Sequence, residues 1–365
     1  MNQSLNSRIP ILDTVRGLAA FWVLLSHSFI CAFIAVKVPI VGDGRGGVDI
    51  FMILSGYLMF HLYSNINSRE TLARFFLARF FRISPVYYLL LVLSAVYIFG
   101  LTKIGAVSVF WHITYLFGFL PSPPGLGMPD WSIALEMQFY VAFPLIALFW
   151  RRKGWLPLVF FSTISSIVFH LCWSVYSLNP PALFGNFEQP TLLPFKLPMF
   201  LLGGFLADSH FFQNKTKAVW TLVLNFGGVI FPAVMMTGYK SSVVIYLACL
   251  AVVLVWKWDL VPVSRIVSVF NVFLTARVFR LLGEISYSVY LLHSFVLYWV
   301  SGWMKTYGVW DGASPLFRLS SLLFVSIPLL YLLSWFIWRS VETPCIQIGK
   351  KVALALFPTE ERRSA

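Results

Sequence analysis

The sequence predicts an all-α polytopic membrane protein of about ten transmembrane helices, with both termini cytoplasmic and one interfacial basic-aromatic helix. Three observations predict it. Of the 365 residues, 59% are hydrophobic and only 11% charged, with a mean hydropathy of +0.81, whereas a soluble domain carries about 25% charged residues. The apolar residues fall into runs long enough to cross about 30 Å of hydrocarbon. The basic residues sort to one side of those runs.

The runs are 16–36, 47–63, 84–101, 131–150, 155–174, 191–208, 218–237, 241–257, 283–300 and 315–338. With the N-terminus inside, nineteen of the 27 lysines and arginines fall on the inner side and six on the outer (Lys37, Arg45, Lys103, Lys240, Lys305 and Arg318), while Arg16 and Lys196 lie within spans. A weaker apolar piece, Val107–Leu120, reads as re-entrant or interfacial. As an eleventh span it would move the later basic loops to the wrong side. The net charge of +13 is therefore a topology signal with attraction to anionic inner-leaflet lipid. No helix-turn-helix, finger or aromatic platform points to nucleic acid. Residues 1–350 read as one transmembrane domain and 351–365 as a short cytoplasmic tail, in a multi-pass protein of the cell inner (plasma) membrane. The first run is too long for a cleavable signal and holds Arg16 in its first half, so it is expected to be retained. The four cysteines (Cys31, Cys172, Cys249 and Cys345) form no CxxC pair, which suggests packing rather than disulfides or a metal site.

The stretch Ile11–Val36, which includes the first run, carries Asp13, Arg16 and His27. Ionisable groups are costly in hydrocarbon and mark sites by default. Arg16 and His27 are eleven residues apart, which puts them on nearly the same helix face, about 16 Å from each other. The loop GDGRGG at 42–47 matches G-x-G-x-x-G, but no strand precedes it and no βαβ unit surrounds it, so flexible turn chemistry explains it. Ser64–Ile83 alternates Arg74, Arg79 and Arg82 with phenylalanines at helical spacing and reads as a helix lying on the inner membrane surface. Arg79 and Arg82, at i and i+3, point together and suit an anionic group such as phosphate, or lipid headgroups. Asp130 or Ser132 is positioned to cap the fourth run. Glu136, inside that run, needs a partner or a proton. His27 lies at a similar depth and Lys196 is a second option, and the sequence does not choose between them. In the ninth run His293 lies deep, Glu284 suits the helix dipole, and Ser286, Tyr287 and Ser288 read as interhelical hydrogen-bond glue.

Five stretches, LDTVRGLAAFWVLLSH (12–27), GVDIFMILSGYL (47–58), RFFRISPVYYL (79–89), WSIALEMQFY (131–140) and LGEISYSVYLLH (282–293), together resemble the acyltransferase type 3 family of integral-membrane O-acyltransferases, in the family's order. The resemblance implies transfer of an acyl group, commonly acetyl from acetyl-CoA, to a hydroxyl of a carbohydrate or lipid-linked glycan. It places the arginine–ten residues–histidine element on Arg16 and His27, the paired arginines on Arg79 and Arg82, and the membrane glutamate on Glu136. Some relatives carry an extracytoplasmic hydrolase-like domain after the last span; this chain resembles the stand-alone form.

The residues fit that chemistry. Inner-face arginines (Arg16, Arg79, Arg82) suit the phosphates of an acyl-CoA. The reach from Arg16 to His27 suits its arm, with His27 as general base and Glu136 as the carboxylate that orients it. Asp49, Ser55, Tyr57 and His293 are the candidate substrate-side residues. Ser55 could carry the acyl group, but SGY within a span more simply allows close helix packing. Acyl-CoA, a carbohydrate or glycolipid acceptor and membrane lipid are the expected partners, with no metal and no nucleic acid. A transporter or flippase for a lipid-linked glycan is the alternative, and a non-catalytic scaffold a third reading.

Overall fold

The computed structural model describes residues 10–34, 41–97, 106–119, 130–176, 191–235, 240–257 and 276–357. Leu120, the end of the weaker apolar piece, and the tail from 358 onward lie outside the described residues. Thirteen α-helices follow in chain order among the described residues: α1 (Pro10–Cys31), α2 (Arg45–Tyr63), α3 (Arg69–Tyr97), α4 (Ala106–Ile113), α5 (Trp131–Lys153), α6 (Trp155–Tyr176), α7 (Leu193–Ala207), α8 (Lys215–Met235), α9 (Lys240–Lys257), α10 (Arg277–Glu284), α11 (Ser286–Thr306), α12 (Pro315–Ile337) and α13 (Thr343–Leu356). A π-helical turn, Trp338–Glu342, joins the last two. No strand occurs among the described residues.

Helices occupy all ten predicted positions. Six segments among the described residues are long and apolar enough to cross a membrane: Ile11–Cys31, Arg45–Tyr63, Arg69–Val96, Trp131–Lys153, Trp155–Cys172 and Pro315–Leu356. The apolar α7 has 15 residues, about 22 Å, short of the hydrocarbon thickness. α11 is long enough, but Ser286, Ser288, His293, Ser294 and Ser301 face inward along it, which dilutes its apolar character. α4, at 8 residues, rises about 12 Å and is too short to cross by itself.

The interfacial helix expected over 64–83 is not a separate element. Arg69–Tyr97 is one helix of 29 residues running through Pro85, about 44 Å long and enough for a bilayer with its headgroup layers. A proline costs one backbone hydrogen bond, here to the carbonyl four residues back, and membrane helices tolerate such a loss. At the other end of the chain, the helix runs through the π turn to Leu356, past the point where a tail was expected to begin.

Two close crossings fix the frame. At α2–α7, a Cβ on Gly56 would strike the Phe200 carbonyl, and one on Gly203 the Ile53 carbonyl. At α1–α10, a Cβ on Gly283 would strike the Asp13 carbonyl. Only glycine admits such backbone approach, the small-residue packing typical of membrane helices. Leu145 on α5 and Leu316 and Phe324 on α12 point outward, as lipid-facing residues do.

Candidate functional site

α1, α2, α3, α5, α7 and α11 line a partly open cavity of about 730 Å³, its mouth included, with Arg16, Ser55, Arg79, Arg82, Glu136 and Tyr140 on its wall. Three cations from two helices thus face one space. The α1–α10 crossing at Gly283 places Arg16 there, and Asp13, one turn back, lies 3.9 Å from its guanidinium. Arg79 and Arg82 share a face of α3 by their i, i+3 spacing.

The arginines differ in what they hold. Arg82 Nη1 is 3.1 Å from Glu342 Oε1, a fully buried carboxylate. The π turn aims Glu342 inward, where it also accepts from Ser288 Oγ at 3.0 Å; such turns are frequent at functional sites. Arg79 lies over the rings of Tyr63 at 5.2 Å and Tyr140 at 5.7 Å. Its Nη2 donates to Tyr63 Oη at 3.2 Å. Its Nε is buried with no hydrogen-bond partner among the described residues.

Glu136 joins this cavity and is not paired with His27 or Lys196. Its Oε1 accepts from Ser55 Oγ at 2.7 Å and from Tyr140 Oη. The two expected pairings fail because depth in the membrane says nothing about which way around its helix a side chain points. Lys196 instead donates to Asp49 Oδ1 at 2.7 Å and to Ser242 Oγ at 3.1 Å; Ser242 in turn donates to Asp49. Asp49 is fully buried and does not line the cavity; through Lys196 and Ser242 it ties α2, α7 and α9 together. Tyr57 also lies off the cavity, stacked on His61 at 5.6 Å. Ser55 does line it; the close packing expected of SGY falls on Gly56 alone. Asp130 occupies the cap position of α5 without a side-chain cap bond. Its carboxylate lies 3.4 Å from His112 Nε2, while Ser132 Oγ is 2.6 Å from Tyr290 Oη.

His27 is half-buried and is not among the residues lining the cavity. Its ring meets that of His293 edge-on, 4.8 Å between centroids. His27 Nδ1 lies 2.9 Å from the Val23 carbonyl oxygen. A carbonyl only accepts, so Nδ1 carries the hydrogen and Nε2 keeps the basic lone pair. The same logic gives the fully buried His293 its hydrogen on Nδ1, toward the Tyr290 carbonyl. Tyr290 therefore touches both regions: its ring lines the cavity and is 5.7 Å from that of His293.

The structure thus brings Arg16, Arg79, Arg82, Glu136 and Ser55 together and sets His27 with His293 beyond Tyr290. Sequence reading did not single out Tyr140, Tyr290 or Glu342 for the site. Tyr140 is four residues after Glu136 and Tyr290 three before His293, so helical spacing marks both as same-face neighbours. Glu342, a carboxylate just past the last apolar run, gave only a weak signal. Among the described residues no cluster of three or more His, Cys, Asp or Glu side chains forms a metal-ligand set.

A family model described as an acyltransferase domain matches residues 9–335. The peptidoglycan O-acetyltransferase OatA of Listeria monocytogenes is 25% identical over 319 residues, covering 78% of this chain and 49% of that protein. The O-acetyltransferase OatA of Staphylococcus aureus is 23% identical over 390 residues, covering 98% of this chain and 60% of that protein. The acyltransferase MdmB of Streptomyces mycarofaciens is 28% identical over 154 residues, covering 38% of this chain and 39% of that protein. The chain spans about half to three fifths of the length of the two OatA relatives. No solved structure matches it.

Proposed function

The chain belongs to the acyltransferase domain family, and from that premise we propose that it is a membrane O-acyltransferase moving an acyl group, acetyl foremost, from an acyl-CoA to a hydroxyl of a carbohydrate or lipid-linked glycan. The observation that carries the reading is the cavity with Arg16, Arg79 and Arg82 on its wall and Glu136 as its one lining carboxylate. Asp13 and Glu342 partner Arg16 and Arg82, while Arg79 has no acidic partner among the described residues and keeps a buried guanidinium donor unsatisfied there; three guanidinium groups on one wall suit a polyanionic donor. The names of the OatA relatives support acetyl as the group and, in the Listeria protein, peptidoglycan as the acceptor.

In the mechanism we propose, the donor's phosphates sit against the arginines and its neutral arm runs toward Tyr290 and the histidines. About 16 Å separates Arg16 from His27 along α1, a span that an extended arm covers. His27 Nε2 takes the proton of the acceptor hydroxyl as its oxygen attacks the thioester carbonyl. The C–S bond breaks, and the imidazolium returns the proton to the leaving thiolate, so ester and free thiol form with no net proton change. Ser55 and Tyr140 hold Glu136 away from His27, so the ring's orientation comes from the Val23 carbonyl and the packing of His293. The basic loops gathered at one end support a donor that enters from the cytoplasmic face and an acceptor at the outer face.

The test is acylation by the purified protein in detergent, with acetyl-CoA and a glycan acceptor and no membrane gradient. Turnover is expected, with a loss of 100-fold or more for His27→Ala, in the range that general-base catalysis supplies (about 10²–10⁴). Donor consumption that needs sealed vesicles would favour a transporter. Full activity in a stably folded His27→Ala protein would remove the imidazole from the reaction.

A further inference from the structure

We infer that Tyr290 is the partition between the arginine-lined cavity and the His27–His293 pair, and that it selects the size of the acyl group that reaches the imidazoles. The inference rests on the acyl-transfer reading above and adds to it a specificity residue.

Tyr290 is nearly fully buried, and three contacts fix its ring. Its hydroxyl lies 2.6 Å from Ser132 Oγ at the start of α5. Phe51 of α2 meets the ring edge-on at 5.4 Å. His293, one turn on, lies 5.7 Å from it, and the His293 Nδ1–H is donated to the Tyr290 backbone carbonyl. The side chain is thus held from α2, α5 and its own helix, with little freedom to swing aside. Ser132, Phe51 and Tyr290 all line the cavity, and neither histidine does. A thioester entering from the arginine side meets this wall before it meets an imidazole.

The chemistry of the wall suits a size filter. A phenol is stiff, with two side-chain torsions, and its hydroxyl is tied down. With the thioester carbonyl held at the imidazole, an acetyl group leaves only a methyl to pack beside the ring, whereas each added methylene of a longer acyl chain must find room against Phe51 and Tyr290. Overpacking of a fixed pocket is costly, and one methylene in an apolar pocket discriminates by about tenfold or more.

The experiment compares acetyl-, butyryl- and hexanoyl-CoA as donors for the purified full chain, reading kcat/KM for each. Tyr290→Leu, which shortens the wall, is expected to raise the hexanoyl-to-acetyl ratio by at least about tenfold over wild type. Ser132→Ala removes only the hydroxyl that ties the ring, and is expected to move the ratio the same way by a smaller factor. It keeps the proposal testable should Tyr290→Leu fail to fold. An active variant pair with the wild-type ratio overturns the proposal and leaves the acyl-transfer reading standing. A wild-type protein that turns over none of the three donors overturns both.

Discussion

Arg82 sits between a buried carboxylate and an open cavity, and both neighbours shape what its loss does. Removing it takes one guanidinium from the proposed donor site and strands Glu342, which is fully buried. Charge-assisted hydrogen bonds are worth about 1.5–3 kcal/mol, so Arg82→Ala should raise the donor KM tenfold or more in steady-state assays and lower the unfolding midpoint. Arg82→Lys keeps the charge beside Glu342 but not the planar fork, so it should recover the midpoint more fully than the KM. Lys196 tests a different carboxylate. It and Ser242 enclose Asp49 completely. Lys196→Met therefore leaves a buried charge unpaired, at about 3–5 kcal/mol, whereas Asp49→Asn combined with Lys196→Met should cost clearly less in the same unfolding assay. An Asp49 that bound acceptor instead would show its loss in KM with stability unchanged. These partner choices were the part of the site that the sequence could not supply. The spacing of Arg16 and His27 was legible because 3.6-residue periodicity relates positions on one helix. Whether Glu136 met His27, Lys196 or Ser55 depends on how separate helices are rotated against one another, and hydropathy carries no such information.

At the scale of the element, glycine decides how helices approach. Gly56 and Gly203 face each other's backbones across α2–α7, each with a carbonyl where a Cβ would sit. Backbone atoms cannot yield as a flexible side chain can, so Gly203→Ala must separate the helices. Overpacking costs typically about 1–3 kcal/mol, and here Ser55 moves with α2. The expected outcome is a lower unfolding midpoint in detergent with a weakened Ser55–Glu136 contact. Gly302→Ala, on α11 with open space around its Cβ position, should leave the midpoint unchanged or raised, since alanine favours helix by up to about 1 kcal/mol. The existence of the apolar helices was legible because each must hide its own backbone polar groups. Their ends were not. The basic-aromatic stretch at 64–83 reads as a surface helix by composition, yet it continues through Pro85 as α3. The π turn at Trp338–Glu342 has no composition signature, and it is what turns Glu342 toward Arg82.

At the scale of the whole molecule, the charge asymmetry meets the packing at its two ends. Arg151, at the end of α5, donates to the Ile66 carbonyl in the α2–α3 turn at 2.9 Å. Arg74 near the start of α3 donates to the Phe357 carbonyl, so these basic segments and the end of α13 share one face. At the opposite face Lys305 lies 5.2 Å from the Phe33 ring, joining the end of α11 to the residues after α1. The assignment of basic loops to one side and of Lys305 to the other is thus consistent with the same bundle. A positive-inside bias sets which face is cytoplasmic, so the arginine end is expected inside and the Lys305 end outside. In a background with Cys31, Cys172, Cys249 and Cys345 replaced by serine, Lys153→Cys and Asp311→Cys place single thiols at exposed positions on the two faces. With a membrane-impermeant maleimide on intact cells, Asp311→Cys should label and Lys153→Cys should label only after permeabilisation. The reverse pattern would put the arginines outside, away from any cytoplasmic thioester, and the proposed direction of acyl transfer would fall with it. Because one pair of accessibilities bears on both topology and donor supply, it is the measurement that joins the bundle's architecture to its chemistry.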